Sequence, residues 1–291
     1  MFPSPAMPEF PPGQSTVNRA YLRFEDVAMD GRMMPISMPP MMSGLWREVL
    51  VDHRGASNAL KQGILPILTR LVMTSSGAAI RIDREVETRC GFELARDPAT
   101  SKLFMNVWAA TRGAAGKLSR AAASAGELVD AGSLFAEHTF TRVLAPPGQR
   151  AVTELEVEGY PRIPETSYAA APPTSAEDAP PGARWLDELA PDDADHVFTL
   201  DQSDSNQHVN SLVYVRVFLD AVYRRLAARG HVGKLRSTAI DIAYRKPCFP
   251  GDRVRTRLRL YEHDGALGLA GQIAGTDDDK PRCHVRVAIG R

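Results

Sequence analysis

The stretch DSNQHVNSLVYV, Asp204 to Val215, places a carboxylate, a carboxamide and an imidazole at alternate positions, Asp204-x-Asn206-x-His208. An imidazole with its ordinary pKa near 6.5 moves protons at neutral pH. Asp204 can fix the tautomer of that imidazole or hold a water. Asn206 can offer a carbonyl to a water and an amide to a substrate oxygen. A helix starting just behind them adds unpaired backbone N–H groups and the positive end of its dipole, which polarise a carbonyl and stabilise an oxyanion. These are the parts that water needs to attack an acyl carbon. The same residues also read as turn and N-cap chemistry, with Asn210 or Ser211 as the cap. A calcium loop does not fit, because the EF-hand positions for Gly and Glu, counted from Asp201, hold Asn206 and Leu212.

The elements that must position this cluster follow from periodicity. Leu212, Val215, Leu219, Val222 and Leu226 recur at spacings of 3, 4, 3 and 4, the stripe of one long helix, with Gly230 as its stop. HVFTL (His196 to Leu200) reads as a short strand before it. RSTAIDIAYRK, DRVRTRLRLYE, LGLAGQIAG and RCHVRVAIG read as an antiparallel meander after it. The earlier part of the chain repeats that order more loosely. YLRFEDV is strand-like, and Met42 to His53 reads as helix. Ala78 to Leu94, Lys102 to Thr111 and Ser133 to Leu144 read as strands. A long striped helix followed by a meander is most easily buried by curling the sheet around it. APPTSAEDAPPGARW (Ala171 to Trp185) carries five Pro or Gly in fifteen residues and reads as a linker; the Pro- and Met-rich residues 1–18 read as a loose arm.

At 291 residues, with 44% hydrophobic and 24% charged residues, the composition is that of a soluble globular protein of one large or two ordinary domains. Lys plus Arg equals Asp plus Glu at 35 each, so no global field favours nucleic acid or an anionic membrane. Cys90, Cys248 and Cys283 are too scattered for a disulfide framework or a Cys-x-x-Cys metal site. The start has no secretory pattern, and no apolar run approaches the roughly 20 residues that span a bilayer. The expectation is a cytoplasmic protein. His53, His138, His196, His231, His263 and His284 have no partner at metal-ligand spacing and read as surface or structural residues. The Met-rich run Arg32 to Met42 reads equally as an acyl channel or as core packing. No Gly-x-Ser-x-Gly elbow, P-loop or Gly-x-Gly-x-x-Gly fingerprint occurs.

DSNQHVNSLVYV is similar to the Asp-x-Asn-x-His-Val-Asn-Asn-x-x-Tyr signature of the acyl-carrier-protein thioesterases of plants and bacteria. AYRKPCFPGDRVRTRL (Ala243 to Leu258) is similar to their Tyr-Arg-Arg-Glu-Cys strand and the turn after it. More broadly the chain resembles the 4-hydroxybenzoyl-CoA thioesterase group with the hotdog fold. The resemblance implies an α+β tandem double hotdog, each unit an antiparallel sheet wrapped around a long central helix. It divides the chain into an arm (1–18), an N-terminal unit with the acyl pocket and no catalytic motif (19–170), a linker (171–185) and a catalytic unit (186–291). It implies hydrolysis of acyl-carrier-protein or acyl-CoA thioesters, without metal or cofactor, by a monomer of tandem units or a homodimer. The rivals are a hotdog dehydratase or other acyl-processing enzyme of fatty-acid or polyketide metabolism, and a non-hydrolytic acyl-binding protein.

The residues that the resemblance assigns to catalysis are Asp204, Asn206, His208 and Cys248. Those assigned to the substrate are Asn210, Ser211, Tyr214, Arg245, Met41, Met42 and Trp46. Cys248 reads either as a nucleophile whose thiolate Arg245 and Lys246 would stabilise, or as a small residue at a strand end. One departure stands out. Pro247 occupies the place of the Glu proposed in the family to activate water. Asp241 shares its strand parity but lies six residues away, about 20 Å along an extended strand.

Overall fold

The computed structural model describes residue 2, residues 4–116 and residues 126–290. The chain forms two compact units, Ser4–Ala171 and, with Met1–Pro3, Pro172–Arg291. Both are built on antiparallel sheet with few helices. Among the described residues no helix is long and apolar enough to cross a membrane.

In the first unit the strands are β1 (Ser15–Tyr21), β2 (Ile64–Ser75), β3 (Glu85–Arg96), β4 (Leu103–Ala114), β5 (Leu128–Arg142) and the short β6 (Thr166–Ser167), in the order β1-β3-β4-β5-β2. β6 adds in parallel to the end of β3. β4 is buried on both faces, which is why LFMNVWAATRGA reads as a nearly continuous apolar run instead of alternating. One covering comes from the segment expected to be a loose arm. The Phe10 ring packs on Trp108, whose indole N–H donates to the Pro5 carbonyl at 3.1 Å, and β1 begins within the expected arm at Ser15. The prolines keep the residues before Ser15 out of the sheet ladder, but the Phe10 ring and the Pro5 carbonyl still pack. Residues 1 and 3 of the expected arm lie outside the described residues.

The expected long helix of the first unit is absent among the described residues. In its place are α1 (Met38–Met41), a π-helical turn over Leu45–Leu50 and α2 (Arg54–Lys61). Pro39 and Pro40 fit only at a helix start, and the Val51 N–H reaches back to Trp46 at 3.2 Å, one residue beyond the α-helical partner. His53 then starts α2 as its cap, accepting the Ala56 N–H. The sheet-plus-long-helix expectation therefore fails for this unit. Met41 and Met42, expected in an acyl channel, are buried core residues.

His138 on β5 is buried and bonds through Nδ1 to the Met105 carbonyl at 3.2 Å. Burial pushes its pKa down to about 4, against the upward pull of hydrogen bonds to the Met105 and Ala136 backbone. The folded state thus holds His138 neutral where the unfolded chain, titrating near 6.5, binds a proton. The associated stability is complete above pH 6.5 and is lost as pH falls toward 4, by roughly 3 kcal/mol. Urea unfolding of the parent and of His138→Gln at pH 7 and pH 4.5 checks this, the substitution being expected to flatten the acid loss.

The second unit contains β7 (Arg184–Trp185), β8 (Ala190–Val197), α3 (Ser211–Ala228), β9 (Arg236–Tyr244), β10 (Arg253–His263), β11 (Ala266–Gly275) and β12 (Pro281–Gly290). Its strands run β9-β12-β11-β10, with β7 and β8 paired to β10. The strand expected at His196 to Leu200 lies earlier, because the chain turns into a 3-10 turn at Leu200–Gln202. α3 packs on β8, β10 and β11 and is buried over more than one stripe: Val213, Tyr214, Val217, Phe218 and Ala221 join Val215, Val222 and Leu226. It ends in a Schellman motif, where Gly230 (φ +77°) and His231 donate N–H groups to the Ala227 and Leu226 carbonyls at 2.9 Å.

The segment expected as a linker is packed. Pro173–Glu177 forms a 3-10 turn against β9, β11 and β12, and Ala176 is fully buried. Glu177 hydrogen-bonds His284, and Arg286 donates to the Asp178 carbonyl at 2.7 Å and to Asp241 at 3.3 Å.

Candidate active site

α3 starts where it does because Asn210 adopts extended backbone angles and its Oδ1 accepts the Leu212 N–H at 2.9 Å. The motif sits in the tight loop before this cap. Ser203 and Val209 form a bridge across its base, the Asp204 N–H donates to the His208 carbonyl at 3.0 Å, and the Gln207 N–H donates to the Asp204 carbonyl at 2.9 Å. Closing so small a loop puts Gln207 at φ +65°, a left-handed conformation that costs a non-glycine residue about 1–2 kcal/mol.

Asp204 is the hub. Its Oδ1 accepts the Asn206 backbone N–H at 2.9 Å and lies 4.0 Å from His208 Nδ1, while its Oδ2 accepts the Asn210 side-chain amide at 3.2 Å. His208 Nδ1 faces the Val209 carbonyl at 3.3 Å, which favours the tautomer with the proton on Nδ1 and leaves Nε2 as the basic nitrogen. The His208 side chain is 40% exposed, and Asn206 is exposed with no side-chain hydrogen bond to another described residue. Of the backbone N–H groups of residues 208 to 212, at the start of the helix, three are taken: Val209 by the Cys248 carbonyl, Asn210 by Gln202 and Leu212 by the cap. Those of His208 and Ser211 have no acceptor among the described residues.

Two tyrosines fasten the first turn of α3 to the end of β9 and the segment after it. The buried Tyr214 hydroxyl accepts the Cys248 N–H at 2.7 Å, and the Tyr244 hydroxyl donates to the Ser211 carbonyl at 3.0 Å. Tyr214, expected to touch substrate, is 3% exposed and committed to this brace. Cys248 is 0% exposed, and burial pushes its thiol up, against the opposing pull of the Tyr214 hydroxyl and Arg282. That is the reverse of what a nucleophile needs. The cation beside it is Arg282, not Arg245 or Lys246; Arg245 is exposed, and Lys246 pairs with Asp278 at 3.4 Å. Pro247 is exposed and supplies no acid, and the Asp241 carboxylate is held by Arg286.

The first unit holds an apolar cavity of about 450 Å³, lined among others by Trp46, Leu60, Ile64, Met105, Phe140 and Tyr160. Trp46, on the π-helical turn, was expected to contact substrate and lines this cavity. Met105, Phe140 and Tyr160 were not expected there, since strand alternation does not say which face meets a cavity.

No family model matches this chain, and no curated protein sequence does. Solved structures do. An acyl-ACP thioesterase from Bacteroides thetaiotaomicron superposes with TM-score 0.60 at 13% identity, over 95% of this chain and 98% of the other. The 12:0-ACP thioesterase from Umbellularia californica superposes with TM-score 0.57 at 12% identity, over 95% and 97%. The likeness shows the fold alone: this chain has a double hotdog fold.

Proposed function

We propose that the chain hydrolyses acyl thioesters, on an acyl carrier protein or on CoA, at the loop Asp204–Asn210. The observation that carries this reading is the Asp204-centred loop at the start of α3, with Asn206 and His208 Nε2 left available. Water attacks the thioester carbon as its proton passes to His208 Nε2. Asp204, facing Nδ1, stabilises the imidazolium that forms. The Asn206 amide and the N–H groups of His208 and Ser211 are the donors for the carbonyl oxygen as it becomes an oxyanion, helped by the helix dipole. Collapse breaks the C–S bond, and the proton on His208 passes to the departing sulfur, giving a carboxylic acid and a thiol.

With Pro247 in place of a carboxylate, the base is the imidazole. An acyl-binding role for the first unit is supported by the size and apolar lining of its cavity, which suit an aliphatic chain. The experiment is turnover of acyl-CoA and acyl-carrier-protein thioesters with products resolved. Free thiol with free acid supports hydrolysis, enoyl thioester from 3-hydroxyacyl substrates supports a dehydratase, and tight binding without turnover supports an acyl-binding protein.

A further inference from the structure

Asn210 was expected to contact substrate, but its side chain is already in use on both sides. Oδ1 accepts the Leu212 N–H at 2.9 Å, and Nδ2 donates to Asp204 Oδ2 at 3.2 Å. The orientation of the amide is forced. Turning it over would set its NH₂ against a helix N–H and its oxygen against a carboxylate. The backbone is equally committed, its N–H to Gln202 at 2.9 Å and its carbonyl to the Val213 N–H at 3.0 Å. We propose that Asn210 is a positioning residue, coupling the start of α3 to the carboxylate of Asp204 so that Asp204 faces His208.

The proposal rests on the hydrolase reading above, and the choice of residue type argues for it. Several side chains cap a helix equally well: Ser, Asp and Asn rank together. Asp would set a second carboxylate against Asp204, and Ser lacks an amide to reach it. Asn is the one good cap that accepts the helix N–H on one atom and donates to a carboxylate from another. Because Asp204 Oδ1 is turned toward the Asn206 N–H and His208, the grip on Oδ2 fixes the rotation of the whole carboxylate. The helix terminus and the proton-transfer pair therefore share one amide.

The test is a double-mutant cycle of Asn210→Ser and Asp204→Asn, with thermal melts and steady-state kinetics on the best acyl thioester. Asn210→Ser keeps a cap, so its Tm should stay within about 3 °C of the parent. Its kcat should fall about tenfold with KM unchanged, the signature of a misplaced group that acts in the transition state. In the Asp204→Asn background the same change should cost no further activity. Additive losses in the cycle, a rise in KM alone, or an unchanged kcat would each overturn the role. His208→Ala separates the two levels: if it is inactive while Asn210→Ser is normal, only this inference fails. If it turns over like the parent, or the parent releases no thiol, the hydrolase reading fails and this one with it.

Discussion

His208→Ala is expected to lower kcat for thioester hydrolysis by about 10²–10⁴-fold, the usual worth of a positioned general base. The loop offers no substitute. Pro247 has no proton acceptor, Asp241 is held by Arg286 on β12, and Asp204 is bound by the Asn206 N–H and the Asn210 amide. A base acts as charge develops, so the loss should fall on kcat with KM nearly unchanged. The remaining rate would reflect Asn206 and the two unpaired N–H groups, which still polarise the carbonyl. With 40% of its side chain exposed, His208 contributes little packing, and the variant should melt close to the parent. Thiol release at saturating substrate is the measurement. A folded variant with parental kcat would remove this loop from the chemistry.

Phe218→Ala is expected to cost about 3–5 kcal/mol of stability. Phe218 is fully buried on α3, the helix that packs against β8, β10 and β11. Its neighbour on the next turn, Val222, is also fully buried, so nothing at the surface can swing in to fill the void. Against a total of roughly 5–15 kcal/mol for a folded protein, such a loss is a large share. It should show in urea as a lower midpoint at an unchanged slope. A cost below about 1 kcal/mol would mean that α3 is far less enclosed than its burial indicates.

The second unit is the more legible in the sequence. Its helix runs from an Asn cap to a left-handed Gly, and β9 to β12 occupy the four segments expected as strands. Alternation such as Arg-Val-Arg-Thr-Arg-Leu in β10 states which side chains face inward. The first unit was harder for reasons visible in its residues. β2, ILPILTRLVMTS, mixes a proline with an apolar run that fits neither period. Met42 to His53 has helical spacing, but Pro39, Pro40 and the π-helical turn shorten what tertiary packing allows. At the site, residue types disclosed the cluster, while its wiring is a matter of distances. No spacing rule says that Tyr214 reaches the Cys248 N–H, or that one Asn210 amide serves two partners.

The packed turn at Pro173–Glu177 bears on how this chain could be taken apart. A composition so rich in Pro and Gly invites a cut in the middle of residues 171–185 to express the halves separately. Yet Ala176 is fully buried, Glu177 holds His284, and the Asp178 carbonyl receives Arg286. A fragment beginning after Asp178 would uncover the sheet face bearing His284 and Arg286, strip His284 of Glu177 and take the Asp178 carbonyl from Arg286, which keeps Asp241. The place to divide the chain is therefore at its compact-unit boundary, between Ala171 and Pro172, with the prolines travelling as part of the second piece.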